Sequence, residues 1–291
     1  MTLEDIKNIL ILGAGTMGQQ IGFWFAAKGY DVTIYDISDD ILTTAKNRIE
    51  KLSKNIVAFN RMDQQTASVA LPRISFTTTP QKAGEHADLI NESVPEKPDL
   101  KGKIFHQFHQ ICKPETIFTT NTSTLLPSMF ADATGRPEKF CALHFHDLQI
   151  TSVVDVMPHP GTSAETTELV KCFALKNDLI PIVLKKENTG YVFNFMLSGL
   201  LSSAITLAQK DVAPIPEIDQ AWVGVMQTHA GPFSIMDSIG LDTVLSVTEF
   251  WASKTKDKQA LANASFLKGY IDAGKKGIKT GEGFYKYDHQ G

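Results

Sequence analysis

The chain has 291 residues, 43% hydrophobic and 21% charged, an ordinary globular composition that is long enough for one large core or two. A formal net charge of -4 excludes a general nucleic-acid binder, because there is no basic surplus to neutralise phosphates. Three scattered cysteines, Cys112, Cys141 and Cys172, exclude a disulfide framework and fit no zinc site, so no metal is expected and a reducing, cytoplasmic home is.

Met1 to Lys7 carries two acids ahead of the first apolar run, unlike a secretory signal. Asn8–Leu12 then reads as a strand, Met17–Lys28 as a helix and Val32–Tyr35 as a second strand. A long helix is expected over Ser38–Asn60, with Ile41, Leu42, Ala45, Ile49 and Leu52 at helical spacing. Further strands are expected at Ile74–Thr77, Asp88–Asn91, Ile117–Thr120, Phe140–His144, Val153–Met157 and Ile180–Leu184, with helices over Lys97–Cys112 and Ser163–Asn177. This alternation implies an α/β fold with a doubly wound, mainly parallel sheet of Rossmann type. After Lys186 the pattern turns helical, and only Gly283–Tyr287 reads as a short strand. We therefore expect residues 1–187 to form a dinucleotide-binding domain and residues 188–291 a smaller all-α domain. Its apolar helices suit a substrate cleft and a homodimer interface. The longest apolar stretch, Tyr191 to Ala208, holds Asn194, Ser198, Ser202, Ser203 and Thr206, which favours a buried helix over a membrane span.

Gly13, Gly15 and Gly18 form G-x-G-x-x-G directly after the first strand and at the start of a helix. Gly13 permits the tight turn, Gly15 close approach of a pyrophosphate, and Gly18 close packing of helix on strand. Thr16 and Met17 lie between them, where the helix start directs free N–H groups at phosphate. Asp36 ends the second strand, placed to accept from ribose hydroxyls and repel a 2′-phosphate, and no arginine lies beside it. The expected cofactor is NAD rather than NADP; the competing reading of Asp36 is a helix cap.

Oxidising a secondary alcohol requires a base for the hydroxyl proton while hydride leaves the same carbon. Histidine suits that role, and a nearby carboxylate would fix its tautomer. His144, at the end of a strand beside the expected crevice, is the best placed of eight histidines. His146 falls on the same face by strand alternation, either lining the pocket or serving as a surface or core histidine.

Taken in order, the Gly13–Gly18 turn with Asp36, the run Glu92–Glu96 with Lys101, and Asn121 to Leu125 resemble the L-3-hydroxyacyl-CoA dehydrogenases. Leu143 to Phe145, Gly190 to Asn194, Gly231 to Phe233 and Gly281 to Tyr285 extend the resemblance over nearly the whole chain, closest to a bacterial branch that includes diketo-ester reductases. It implies His144 as acid/base, a carboxylate partner after it, Ser123 and Asn194 near the reacting oxygen, and Glu96, Lys101 and Asn121 on the cofactor. The family pattern has an asparagine–proline pair after the histidine and a glutamate partner one residue further along than Asp155. Here the proline is missing, and Asp147 or a gap stands where the asparagine belongs. Either Asp155 still pairs with His144, the shorter segment compensating for a shorter side chain, or the pair is broken and activity redirected; we favour the first.

Lys46, Arg48, Lys51 and Lys54 are either solvated helix charge or a contact for the phosphates of CoA. The expected function is NAD-dependent oxidation of a 3-hydroxyacyl-CoA, or reduction of the 3-keto compound. The alternatives are a reductase of diketo or sugar acids without CoA, and a non-catalytic NAD-binding protein.

Overall fold

The strand Asn8–Leu12 (β1) is apolar from Ile9 onward because both of its faces are covered there. Ile9 and Ile11 join one buried layer, Leu10 and Leu12 the other. The computed structural model describes residues 1–287. After β1 come a helix over Thr16–Ala27 (α1), strand Asp31–Tyr35 (β2), and helices Asp39–Ala58 (α2) and Gln64–Ala70 (α3). Then follow strand Ile74–Thr77 (β3), a short helix Pro80–Gly84 (α4), strand Leu89–Glu92 (β4), helix Pro98–His109 (α5) and strand Ile117–Thr120 (β5). Strands Phe140–Phe145 (β6) and Val153–Pro158 (β7), helix Ala164–Lys176 (α6) and strand Ile180–Val183 (β8) complete an eight-stranded sheet of order β3-β2-β1-β4-β5-β6-β7-β8. The doubly wound, mainly parallel architecture is as the sequence implies.

One strand direction was not visible in the sequence. β7 runs antiparallel to β6, and β8 is parallel to β7. Residues 146–152 are too few for a crossover helix, so the chain turns back as a hairpin. That turn is pinned from several sides. Leu148 is fully buried, its N–H bonds to Gln20 at 2.9 Å, and Arg61 donates to Ser152 at 2.7 Å.

The chain divides into two compact units, Met1–Val192 and a unit from Phe193 onward. The second comprises helices Phe193–Gln209 (α7), Ile215–Met226 (α8), Pro232–Ile239 (α9), Leu241–Thr255 (α10) and Lys258–Asp272 (α11) around Leu201, Ile205, Phe233, Met236 and Leu267. The expected strand over Gly283–Tyr287 does not form. That segment makes isolated bridges only, because the buried Asp237 carboxylate takes the Phe284 and Tyr285 N–H groups, both at 2.9 Å. Nor is the apolar stretch from Tyr191 buried along its length: Phe195 and Met196, in the first turn of α7, are 49% and 61% exposed. Among the described residues no helix is long and apolar enough to cross a membrane.

Candidate active site

The strand order reverses beside β1, which lies between β2 and β4, and the glycine turn sits at this switch point, where open α/β sheets bind ligands. Its three glycines have separate physical reasons. Gly13 has φ +104°, and a Cβ there would lie 2.7 Å from the Ser93 carbonyl oxygen, so the turn lies flat against the end of β4. A Cβ on Gly18 would come within 2.0 Å of the Gly13 carbonyl oxygen, whereas one on Gly15 would meet no protein atom within 4 Å. Gly15 thus fronts a cradle that a side chain would fill. α1 starts here with no side-chain cap, so the N–H groups around Thr16 and Met17 face that space.

Asp36 follows β2, and its two oxygens accept the Ala14 and Ile37 N–H groups, each at 2.8 Å. The cap of α2 is Ser38, not Asp36. The carboxylate is therefore fixed against the turn with lone pairs remaining for ribose hydroxyls. These residues fit a dinucleotide.

Beyond β4 lies a buried charge network. Glu92 is fully buried and accepts from Lys101 Nζ (2.7 Å), the Thr120 hydroxyl (2.6 Å) and the Val94 N–H (2.8 Å). Lys101, 1% exposed, also lies 3.2 Å from Glu96 and 3.3 Å from the Val94 carbonyl. Glu96 in turn accepts from the Thr122 hydroxyl and from the Ser123 and Thr124 N–H groups at 3.2 and 3.1 Å. Burial works against its charge, yet Lys101 and these donors hold the Glu96 carboxyl below its ordinary range. The network fixes the loop that carries Ser123.

His144 and Asp155 stand directly opposite each other in the β6–β7 ladder, hence on one face of the sheet. Nδ1 of His144 lies 2.9 Å from Oδ2 of Asp155, and both side chains are almost wholly buried. Burial pushes the His144 imidazole below its ordinary range, opposed by the Asp155 bond. Burial would raise Asp155, but the His144 bond and the His146 ring beside it hold it below the usual carboxylate range. With Nδ1 committed to the carboxylate, Nε2 is the nitrogen left to take or give a proton.

Residues 8–188 match the family model for the NAD binding domain of 3-hydroxyacyl-CoA dehydrogenase, and residues 190–287 the model for its C-terminal domain. The chain belongs to this family. It is an NAD-dependent oxidoreductase of the class acting on CH–OH. It is 32% identical to a probable 3-hydroxybutyryl-CoA dehydrogenase of Bacillus subtilis, over 98% of this chain and 99% of that one. It is 30% identical to human mitochondrial hydroxyacyl-coenzyme A dehydrogenase, covering 97% and 91% of the two chains. Among solved structures it is similar to a diketoreductase described as catalysing dicarbonyl compounds, with TM-score 0.88 and 38% identity over 97% and 99% of the chains. The (S)-3-hydroxybutyryl-CoA dehydrogenase of Ralstonia eutropha gives TM-score 0.88 at 28% identity, with the same coverage.

Within this dehydrogenase, the first unit brings His144 and Asp155 together and joins Glu96, Lys101 and the Ser123 loop. Asn194 lies in the first turn of α7, in the other unit. Lys101, expected on the cofactor, has its donors spent inside the protein, so its influence on any ligand passes through Glu96. Asn121 splints two strand ends: its side-chain oxygen accepts the Phe145 N–H at 2.7 Å, next to His144.

Tyr191 also belongs to this site. It is 1% exposed, stacks on the His144 ring at 4.7 Å, and donates its hydroxyl to the Thr122 carbonyl at 2.6 Å. Its φ of +55° is a strained setting for a bulky residue, held by bonds to Asn188. Gly190 before it was the available signal.

Proposed function

We propose that this dehydrogenase interconverts the 3-hydroxy and 3-keto groups of an acyl-CoA thioester, with His144 as the acid/base. The observation that carries this reading is the buried 2.9 Å contact between His144 Nδ1 and Asp155. Bound on the Gly13–Gly18 turn, NAD supplies the hydride acceptor in oxidation and the donor in reduction. During oxidation His144 Nε2 accepts the hydroxyl proton as the carbonyl forms, and Asp155 stabilises the imidazolium. In reduction the same imidazolium returns the proton to the carbonyl oxygen. Ser123, on the loop held by Glu96, and Asn194 are proposed to hydrogen-bond that oxygen. Glu96 and Asn121 are assigned to the nicotinamide side, with Lys101 behind Glu96.

The CoA phosphates are assigned to Lys46, Arg48, Lys51 and Lys54, all exposed on the face of α2 away from its buried Leu42, Ala45, Ile49 and Leu52. The exposed Phe195, Met196 and Val225 support a homodimer, which light scattering would check, and three free thiols suit the cytoplasm. NADH consumption with acetoacetyl-CoA tests the central reading. Turnover should fall about 10⁴-fold in Asp155→Asn, by analogy with the loss of a triad carboxylate. No turnover of the thioester, alongside reduction of a free 3,5-diketo ester, would favour a second reading, a diketo reductase without CoA. Its support is the likeness to the diketoreductase together with the added His146 beside the acid/base.

A further inference from the structure

Asp155 serves two imidazoles rather than one. Its Oδ2 lies 2.9 Å from His144 Nδ1 and 3.3 Å from His146 Nε2, and the two rings stand nearly perpendicular, 4.8 Å between centroids. The backbone explains the convergence. His144 lies near the end of β6 and His146 one residue beyond it, two apart along the extended chain, and Asp155 is the ladder partner of His144. An acid/base pair needs its carboxylate whole, because the carboxylate's charge is what favours the imidazolium. A second imidazole on the same oxygen dilutes that charge. Neutral, it sets a ring nitrogen 3.3 Å from the oxygen, where water would otherwise solvate it; protonated, it neutralises the carboxylate outright. Both states act in the same direction.

We propose that His146 is a positioning residue for proton transfer: by drawing on the same oxygen of Asp155, it weakens the hold of that carboxylate on the His144 imidazolium and thereby sets the pH at which His144 exchanges its proton. This rests on the reading of His144 as the acid/base. The other groups facing His144 act differently. Glu96, from the loop after β4, favours the imidazolium, with Lys101 behind it. Tyr191, after β8, stacks on the ring with its phenol raised well above the ordinary range by burial and its hydroxyl given to Thr122. Burial and His146 both press His144 toward the neutral form.

Two variants of the full chain separate this role from mere filling of space. His146→Leu removes the second imidazole; His146→Gln keeps a neutral polar group near the same place. Imidazole NMR titration follows His144, its signal assigned by its loss in His144→Gln. The midpoint of His144 should rise by about one pH unit in His146→Leu and by clearly less in His146→Gln. The acid limb of alcohol oxidation and the alkaline limb of ketone reduction should move up with it. Should His146→Leu fail to fold, His146→Asn, whose amide stops short of Asp155, carries the same expectation. A His144 midpoint that stays put, or falls, in a folded variant overturns the proposal, even where turnover drops. A raised midpoint in a chain without NADH-linked turnover would support the shared carboxylate and refute the acid/base reading, so the two fail separately.

Discussion

Replacing Lys101 with Met tests whether the buried charge network shapes the site or only stabilises the sheet. Lys101 Nζ lies 2.7 Å from Glu92 and 3.2 Å from Glu96, with the Lys101 and Glu92 side chains 1% and 0% exposed. Met fills most of the same volume, so the loss is almost purely electrostatic. Glu92 would keep two donors, Thr120 and Val94, but would be a buried carboxylate without its counter-ion. Breaking a buried pair from one side costs about 3–5 kcal/mol. For a unit of this size that lowers the melting temperature by roughly 6–20 °C. Scanning calorimetry and urea unfolding would measure it. Lys101→Met/Glu92→Gln should recover most of the stability, since the amide is neutral and still accepts a hydrogen bond. It should not recover turnover, because Glu96 still lacks the cation that anchors it beneath the Ser123 loop. A loss below 1 kcal/mol in the single variant, or full activity in the double, would refute this account.

Three further outcomes are expected. Asp36→Ala removes the acceptor for two N–H groups and the charge opposing a 2′-phosphate. It should weaken NADH binding and raise the NADPH-to-NADH preference by roughly tenfold, about 1.4 kcal/mol, read as a ratio of kcat/KM values; a wild-type preference for NADPH would contradict the assignment. Gly18→Ala and Gly15→Ala should part company. The first places a Cβ 2.0 Å from the Gly13 carbonyl and should cost stability, about 1–3 kcal/mol, as well as affinity. The second meets no protein atom within 4 Å, and should leave the melting temperature unchanged or raised while NADH affinity drops in calorimetric titration. Tyr191→Phe keeps the ring on His144 but frees the Thr122 carbonyl, and should lower kcat about fivefold, the equivalent of one hydrogen bond near 1 kcal/mol, with the Kd for NADH unchanged; an equal loss in NADH affinity would place the effect elsewhere.

Much of the first unit was legible because strands buried on both faces read as short apolar runs. β1 and β5 lie where the sequence places them, to the residue, and so does β3, a half-exposed edge strand. The glycine turn was legible for a related reason: each of its glycines answers to backbone geometry, which leaves a fixed spacing. Strand direction left no such trace. Val153–Pro158 has the same composition whether it runs with β6 or against it, and only the length of residues 146–152 bears on the matter. α3 and α4 were missed as short elements between stronger signals. Tyr191 was invisible as a site residue because its importance lies in contacts to Thr122 and His144, far away in the chain. The burial of Lys101 was hidden in the same way: in the sequence it is a lysine in the first turns of a helix, expected on the cofactor, and only the carboxylates of Glu92 and Glu96 explain why it lies inside.

The departure at His144–Asp155 is where sequence and structure inform each other most. A hairpin fixes residue pairs by register, so the partner of His144 is chosen by how many residues the turn contains. Here the turn is held rigidly: Asp147 accepts the Ile150 and Thr151 N–H groups through its carbonyl, both at 2.9 Å, while Leu148 is buried and bonded to Gln20. That register sets Asp155 directly across from His144, within 2.9 Å of its Nδ1. The same shortened turn brings His146 down onto Asp155. The segment in which this chain leaves the family pattern therefore holds His144 on Asp155 and sets His146 against the same carboxylate oxygen.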